Sequence, residues 1–287
     1  MIEGRITKQI SNQYRVTASG KDYVCGARGK FRNLGLSPLV GDIVKINENT
    51  LTIEEILPRK NELDRPVVSN VDIALIVTSV KKPDLSLSLL DKELSVVLAN
   101  NIKPVICLTK LDLLSKKELK ELKPLIKYYK KIGILVTDNN HLGKLKKILK
   151  NNLVVLTGQT GAGKSSLLNK LDKKLNLETK PISDALNRGV HTTRHTQIYK
   201  IGKIYFVDTP GFSALDLKNI YSEKLKETFL EFNKYKYKCD FKNCNHLKEK
   251  GCKVIDAVSK GEILPSRYIN YTRFIKECHE NNRKLYK

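Results

Sequence analysis

Long hydrophobic runs are missing from this chain. No apolar stretch approaches the ~20 residues of a membrane-spanning helix, and the first residues carry no apolar core of a secretory leader, so no membrane association is expected. Cysteine is also scarce. Six in 287 residues, irregularly spaced, cannot build the dense disulfide framework of a small secreted domain. Three of the six sit with one histidine between positions 239 and 252, a grouping that favours metal in a reducing cytoplasm, so a cytoplasmic location is expected. No internal repeat or low-complexity tract occurs, which excludes solenoid arrays. Acidic residues are in short supply: 30 Asp+Glu against 53 Lys+Arg leave a net charge of +23. The imbalance points to a polyanionic partner, most simply nucleic acid. Only 11 of the 53 basic residues are arginine, and genomic base composition can also produce such a lysine bias.

Residues 1–57 carry five short alternating segments, GRITKQI, QYRVTA, KDYVCGAR, GDIVKI and LTIEEIL, between Asn-, Gly- and Ser-rich turns. Five such strands predict a small β-barrel, for which an OB-fold is the natural candidate. Arg28, Lys30, Phe31 and Arg32 interleave charge with an aromatic, as a nucleic-acid face would. Pro58 to Asn70 is polar and proline-flanked, which suits a linker. Beyond it the period changes. VDIALIVTSV, KPVICLT, IGILVT and LVVLT are apolar strands, with helical patterns near 85–100, 115–130 and 141–150 between them. That alternation predicts a parallel α/β sheet covered on both faces. Pro124 is expected to kink or split its helix. QIYKI and KIYFVD read as a hairpin around Gly202, and the chain turns helical again from Ser222, ending in a basic helix from about 265.

Residues 153–169, LVVLTGQTGAGKSSLLN, are the stretch around which the chain is organised. Gly158-Gln159-Thr160-Gly161-Ala162-Gly163-Lys164-Ser165 fits G-x-x-x-x-G-K-[ST] between an apolar strand and a helical pattern that begins at Ser166. Glycines let successive N–H groups converge on a phosphate at a positive helix end. Lys164 would reach the β- and γ-phosphates and the Ser165 hydroxyl would ligate Mg²⁺. Asp208-Thr-Pro-Gly211 fits D-x-x-G at the end of a strand: the aspartate holds Mg²⁺ through water and the glycine N–H senses the γ-phosphate. Thr109-Lys110-Leu111-Asp112 fits [NT]-K-x-D, with threonine where asparagine is commoner. The two acceptors of Asp112 match the N1–H and exocyclic amine of guanine, and such buried pairing rejects a wrong base by factors on the order of 10⁴. Together the three motifs point to GTP and GDP. Thr137, at the end of IGILVT, is expected to close the base pocket.

The order of these motifs is permuted, because TKLD precedes the phosphate loop instead of following D-x-x-G. A sheet tolerates this when old termini are joined and a new break is opened, since a site needs position and not chain order. Further on, Cys239-x₄-Cys244-x-His246-x₅-Cys252 offers three thiolates and an imidazole, a closed tetrahedral set for one structural zinc. From Lys234 to Lys287 there are 14 Lys+Arg against 6 Asp+Glu, with Tyr235, Tyr237, Tyr268 and Tyr271 interspersed. That composition suits RNA backbone and base stacking.

The permuted TKLD, GQTGAGKSS and DTPG, with an N-terminal barrel and a C-x₄-C-x-H-x₅-C knuckle, resemble the ribosome small subunit-dependent GTPase (RsgA) family of bacteria over essentially the whole chain. The resemblance implies a circularly permuted P-loop GTPase domain (α/β) with an N-terminal OB-fold barrel and a C-terminal helical zinc-binding domain. The expected divisions are 1–65, 66–220 and 221–287. It implies a monomeric late assembly factor of the small ribosomal subunit, bound to its rRNA and released by GTP hydrolysis. In the family's switch I pattern, Gly189-Val190-His191-Thr192-Thr193-Arg194 keeps the histidine and two threonines and departs at Val190 and Arg194. Thr192 or Thr193 should then ligate Mg²⁺ and His191 should position the attacking water. Phe212 supports that role independently, because a phenyl ring after D-x-x-G cannot orient water as glutamine does. A nucleotide-gated RNA-binding scaffold with incidental hydrolysis is the alternative reading, and an ATP-dependent nucleic-acid enzyme a third that TKLD disfavours.

Overall fold

The computed structural model describes residues 1–29, 31, 35–64, 66–172, 196–208, 217–218 and 220–285. The first strands are β1 (Ile2–Ile10), β2 (Gln13–Ala18), β3 (Lys21–Ala27), β4 (Ile43–Asn47) and β5 (Thr52–Ile56). β1 pairs with both β2 and β4, β2 with β3, β3 with β5 and β5 with β4, so the ladder closes into a barrel. Period-two patterning drives the closure: Tyr14, Val16 and Ala18 of β2, like Val44 and Ile46 of β4, are buried while their neighbours are less so. Phe31 belongs to this core and is 5% exposed. It therefore cannot offer a stacking face, contrary to the sequence expectation. Its neighbour Arg28 pairs with Glu54 at 2.9 Å, and Lys30 and Arg32 lie outside the described residues.

The stretch expected to be a linker is a ribbon of β6 (Glu62–Asp64) and β7 (Val67–Ser69). Its Leu63 and Val68 join the barrel core. A buried carboxylate holds it there. Asp42 accepts from Arg59 Nε (2.7 Å) and Nη2 (2.8 Å), from Ser69 Oγ (2.6 Å) and from the Leu39 amide (2.8 Å). The polar residues of the supposed linker are the partners that carboxylate requires.

Next come β8 (Ile73–Ser79), α1 (Leu87–Ala99), β9 (Lys103–Thr109), α2 (Lys116–Lys131), β10 (Leu135–Asp138), α3 (Leu142–Leu149), β11 (Leu153–Thr157) and α4 (Lys164–Leu171). A hairpin follows, β12 (Gln197–Ile201) and β13 (Ile204–Asp208). Strand order is β10-β9-β8-β11-β13-β12, parallel as far as β13, with β12 antiparallel. β8 is buried at every position, as a strand covered on both faces must be. β12 also pairs with β1, Lys8 opposite Gln197, so one 11-stranded sheet runs through the barrel and the α/β unit. Helix α2 runs through Pro124 without ending there. Pro124 is exposed, so the carbonyl it deprives of a donor can turn to water.

The C-terminal part holds α5 (Ser222–Thr228), a 3₁₀ turn at Leu230–Tyr235, α6 (Lys253–Ser259) and α7 (Pro265–Leu285). Phe229, Phe232, Tyr271 and Phe274 form its core, and Val96 of α1 enters the same cluster. A buried ionic network fixes this contact. Arg267 of α7 donates to Glu231 twice (Nε 2.7 Å, Nη2 3.0 Å) and to Asp91 of α1 (2.8 Å). Asn270 and Tyr129 of α2 donate to Asp91 at 2.6 Å each, and Tyr128 donates to Glu231 at 3.2 Å. Removing one partner of a buried pair strands the other charge, at a cost of about 3–5 kcal/mol. Arg267→Ala should therefore lower the chemical-denaturation stability by that order. A loss below ~1 kcal/mol would show that the network is not a fastening.

Candidate nucleotide site and metal cluster

Every strand that carries a motif ends on the same edge of the sheet. Thr109 closes β9, Thr157 closes β11 and Asp208 closes β13. The phosphate loop leaves β11 between β8, which precedes it in the chain, and β13, which follows it. This is the crevice at the carboxyl ends of parallel strands where open α/β sheets bind ligands. Gly158 begins the loop at φ +128°, and a Cβ there would lie 2.1 Å from the Val77 carbonyl oxygen. Only glycine fits. Gly163, at φ +92°, turns the chain into α4. Lys164 folds back over the loop, donating to the carbonyls of Gly158 (2.5 Å) and Gln159 (3.0 Å). Burial holds its ammonium below the ordinary lysine value, and the nearby Glu93 opposes that shift. Ser165 and Ser166 open the helix, with Ser165 8% exposed.

TKLD meets this loop directly. The Thr109 hydroxyl donates to the Ala162 carbonyl at 2.6 Å, so threonine supplies a brace between the two motifs although asparagine is the commoner residue. Lys110 adopts a left-handed conformation (φ +59°) and donates to the Lys82 carbonyl. Asp112 sits exposed on the 3₁₀ turn Leu111–Leu113. Thr137 lies opposite Cys107 in the ladder, with its hydroxyl buried and unpartnered among the described residues. The next residue, Asp138, accepts from the amides of Asn140 (2.9 Å) and His141 (3.1 Å) and contacts the His141 ring at 2.8 Å. His191, Thr192, Thr193, Gly211 and Phe212 lie outside the described residues.

One residue of the site was not singled out in the sequence. Glu93 of α1 lies beneath the loop, 3% exposed, and accepts from the Thr157 hydroxyl at 2.9 Å. Burial pushes its carboxyl up to about 7 against the lowering effect of Thr157, Lys164 and the Gly158 amide. The signal was available: Glu93 stands three residues after Leu90 and four before Val97, on the apolar stripe of the helix.

The second cluster lies in the loop before α6. The ligating atoms of Cys239, Cys244, His246 and Cys252 are all within 4.8 Å of one another. His246 Nδ1 is 3.3 Å from Cys252 Sγ and 3.7 Å from Cys239 Sγ. Tetrahedral ligands at about 2.3 Å from a zinc ion stand about 3.7 Å apart, so the set fits. Burial pushes the Cys244 thiol up to about 12, so a thiolate there requires a cation beside it. Amides of His246 and Lys253 donate to Cys244 and Cys239, each at 3.4 Å. Glu249 accepts three loop amides, from Asn245, Leu247 and Lys248. Two of the four tyrosines expected at an RNA face serve this loop instead. Tyr271 is buried and donates to the Asn245 carbonyl at 2.6 Å, and Tyr268 donates to that of His246 at 2.9 Å. Tyr235 donates to Glu262 at 2.7 Å. Tyr237, 83% exposed with the Lys236 ammonium 5.3 Å over its ring, and Phe241, 56% exposed, present their rings to solvent.

Strand order, loop geometry and motif placement define a circularly permuted P-loop GTPase. The family model described as RsgA GTPase matches residues 56–218, and that of the RsgA N-terminal domain matches residues 3–52. The chain belongs to the RsgA GTPase family. A relative from Oceanobacillus iheyensis, named small ribosomal subunit biogenesis GTPase RsgA 2, is 44% identical, covering 96% of this chain and 97% of its own. The crystal structure of YloQ, described as a circularly permuted GTPase, superimposes with TM-score 0.83 at 34% identity over 98% of this chain and 96% of that one. YjeQ from Thermotoga maritima gives 0.82 at 35% identity over 96% and 98%.

The Thr109 brace makes a testable point. Thr109→Val keeps the shape and leaves the Ala162 carbonyl without its side-chain donor, a loss of about 1–2 kcal/mol. GTP and GDP affinity should fall by roughly tenfold, read by fluorescent-nucleotide titration. Unchanged affinity would show that TKLD does not support the loop.

Proposed function

We propose that this chain hydrolyses GTP as a late maturation factor of the small ribosomal subunit, is activated by that subunit and leaves it on hydrolysis. The observation that supports this reading best is the hydrogen bond by which TKLD meets the phosphate loop, from Thr109 to Ala162: a guanine reader and a triphosphate cradle would have to be neighbours. In it, Asp112 pairs with guanine above Lys110 and near Thr137. The amides of residues 158–163 and Lys164 hold the phosphates. Ser165, Asp208 and one of Thr192 and Thr193 surround Mg²⁺, the Gly211 amide senses the γ-phosphate, and His191 positions water. Zinc fastens Cys239, Cys244, His246 and Cys252. The relatives' printed names supply the small subunit as partner, and the net charge of +23 suits its rRNA. No helix among the described residues is long and apolar enough to cross a membrane. The barrel (1–65), the GTPase unit (66–220) and the zinc unit (221–287) divide the work, with the outer two gripping RNA and the protein acting as a monomer.

Phe212 leaves the attacking water without the usual glutamine, so turnover alone should be slow, about 10⁻⁴–10⁻² s⁻¹. Purified small subunits should raise it strongly. His191→Ala should bind GTP normally and lose that stimulation; a mutant stimulated as well as wild type would assign the water to another group. Tight subunit binding with no stimulation of wild-type turnover would favour a nucleotide-gated scaffold. Structural zinc contributes on the order of 10–16 kcal/mol to a small knuckle. Cys244→Ser should accordingly loosen the region after about residue 235, seen by limited proteolysis, while GTP affinity persists. Elemental analysis that finds no zinc in chelator-free protein would reject the metal assignment.

A further inference from the structure

Helix α1 turns two buried carboxylates toward opposite neighbours. Asp91 accepts from Arg267 and Asn270 of α7 and from Tyr129 of α2, while Lys92 between the two pairs with Glu277 at 2.7 Å. Glu93 faces the other way, beneath the phosphate loop. Its Oε1 accepts from the Thr157 hydroxyl at 2.9 Å, and the Gly158 amide hydrogen-bonds to the same carboxylate. Thr157 is the last residue of β11 and Gly158 the first of the loop. The carboxylate therefore holds the corner at which strand becomes loop. Among the described residues the charged group acting on it is Lys164, at the start of α4. The anchoring of Asp91 and Lys92 on α7 keeps the helix, and with it the carboxylate, from retreating.

We propose that Glu93 is a positioning residue of the nucleotide site: its carboxylate pins the loop corner at Thr157 and Gly158 and competes with the nucleotide's phosphates for Lys164. The inference rests on reading residues 158–165 as the phosphate cradle. Lys164 lies over the loop carbonyls and in the field of Glu93. An arriving polyphosphate draws the ammonium away and is itself repelled by the ionised carboxylate. When Glu93 is protonated the repulsion is gone, and Lys164 is free to serve the phosphates alone.

The sign of the pH effect follows. Burial pushes the Glu93 carboxyl up to about 7. Nearby phosphate charge raises it further, so nucleotide binding takes up protons near neutrality. Affinity attributable to this group is full below about pH 7, where Glu93 is neutral in both states. It declines as pH rises through the value of the free protein, and levels off above that of the complex.

The experiment uses the full-length protein, with Mg²⁺ present, and compares wild type with Glu93→Gln, Glu93→Leu and Lys164→Ala. Fluorescent GTP and GDP titrations from pH 6 to 8.5 give the affinity profile. Calorimetry at pH 7.5 in two buffers of different ionisation enthalpy gives the proton uptake. Relative to Glu93→Gln, wild type should lose about tenfold in GTP affinity across that range, as follows when the carboxyl titrates about one pH unit higher in the complex than in the free protein. The loss should be smaller for GDP, and wild type alone should take up protons. Glu93→Gln, which keeps an acceptor for Thr157 and Gly158, should bind GTP more tightly than wild type at pH 8.5. Parallel profiles and equal proton uptake in wild type and the Glu93 variants would reduce Glu93 to packing and overturn the proposal. If neither Glu93 variant folds, absence of proton uptake by wild type overturns it equally. GTP affinity unchanged in Lys164→Ala would instead reject the phosphate cradle itself.

Discussion

A single guanidinium shared by two buried carboxylates joins the C-terminal part of this molecule to its nucleotide-binding part. Arg267 spans Asp91 on α1 and Glu231 on the 3₁₀ turn, and side chains of α2 and α7 donate to the same two carboxylates. Such a network adds little net stability over well-packed apolar groups, but it allows few alternative arrangements, because every misplaced partner leaves a charge unpaired out of water. Four elements distant in sequence are thereby set relative to one another. α1 is the element that matters most, since it lies against the sheet and reaches the loop corner through Glu93.

Much of this was legible in the sequence, for identifiable reasons. Strands buried on one face or both announce themselves by a period of two or by continuous apolarity, as β2, β4 and β8 do. Phosphate-loop glycines are set by backbone geometry, as the approach of Gly158 to Val77 shows. The knuckle is legible from its spacing, and its three sulfurs and the His246 nitrogen gather within 4.8 Å of one another. What resisted reading was polarity or aromaticity whose meaning depends on a distant partner. The polar run after Pro58 reads as linker until Asp42 is placed beside Arg59 and Ser69. Phe31 and Tyr271 read as stacking rings until the barrel and the knuckle close over them, and half-buried Tyr268 donates its hydroxyl to the His246 carbonyl. Pro124 reads as a break until its side of the helix proves exposed. In each case the local pattern was right about chemistry and silent about which surface would meet it.

The permuted chain order has a mechanical consequence that the sheet makes visible. In a GTPase the loops that register the γ-phosphate flank the strand ending in D-x-x-G and the strand that precedes it. Those strands here are β13 and β12, paired as a hairpin from Gln197 opposite Asp208 to Ile201 opposite Ile204. β12 also pairs with β1 of the barrel through Lys8 and Gln197, so the barrel is hydrogen-bonded to one strand of that hairpin. The C-terminal part follows the other strand directly in the chain and is bolted back to α1 by Arg267. Both flanking units are thus attached at the hairpin or through α1, on either side of the phosphate loop. With the breakpoint elsewhere in the cycle of strands, the C-terminal unit would follow a strand remote from D-x-x-G and could sense the γ-phosphate only through the body of the sheet, which is close-packed and deforms little. Opening the chain after β13 removes that intermediary and roots the C-terminal unit in the strand that ends at Asp208.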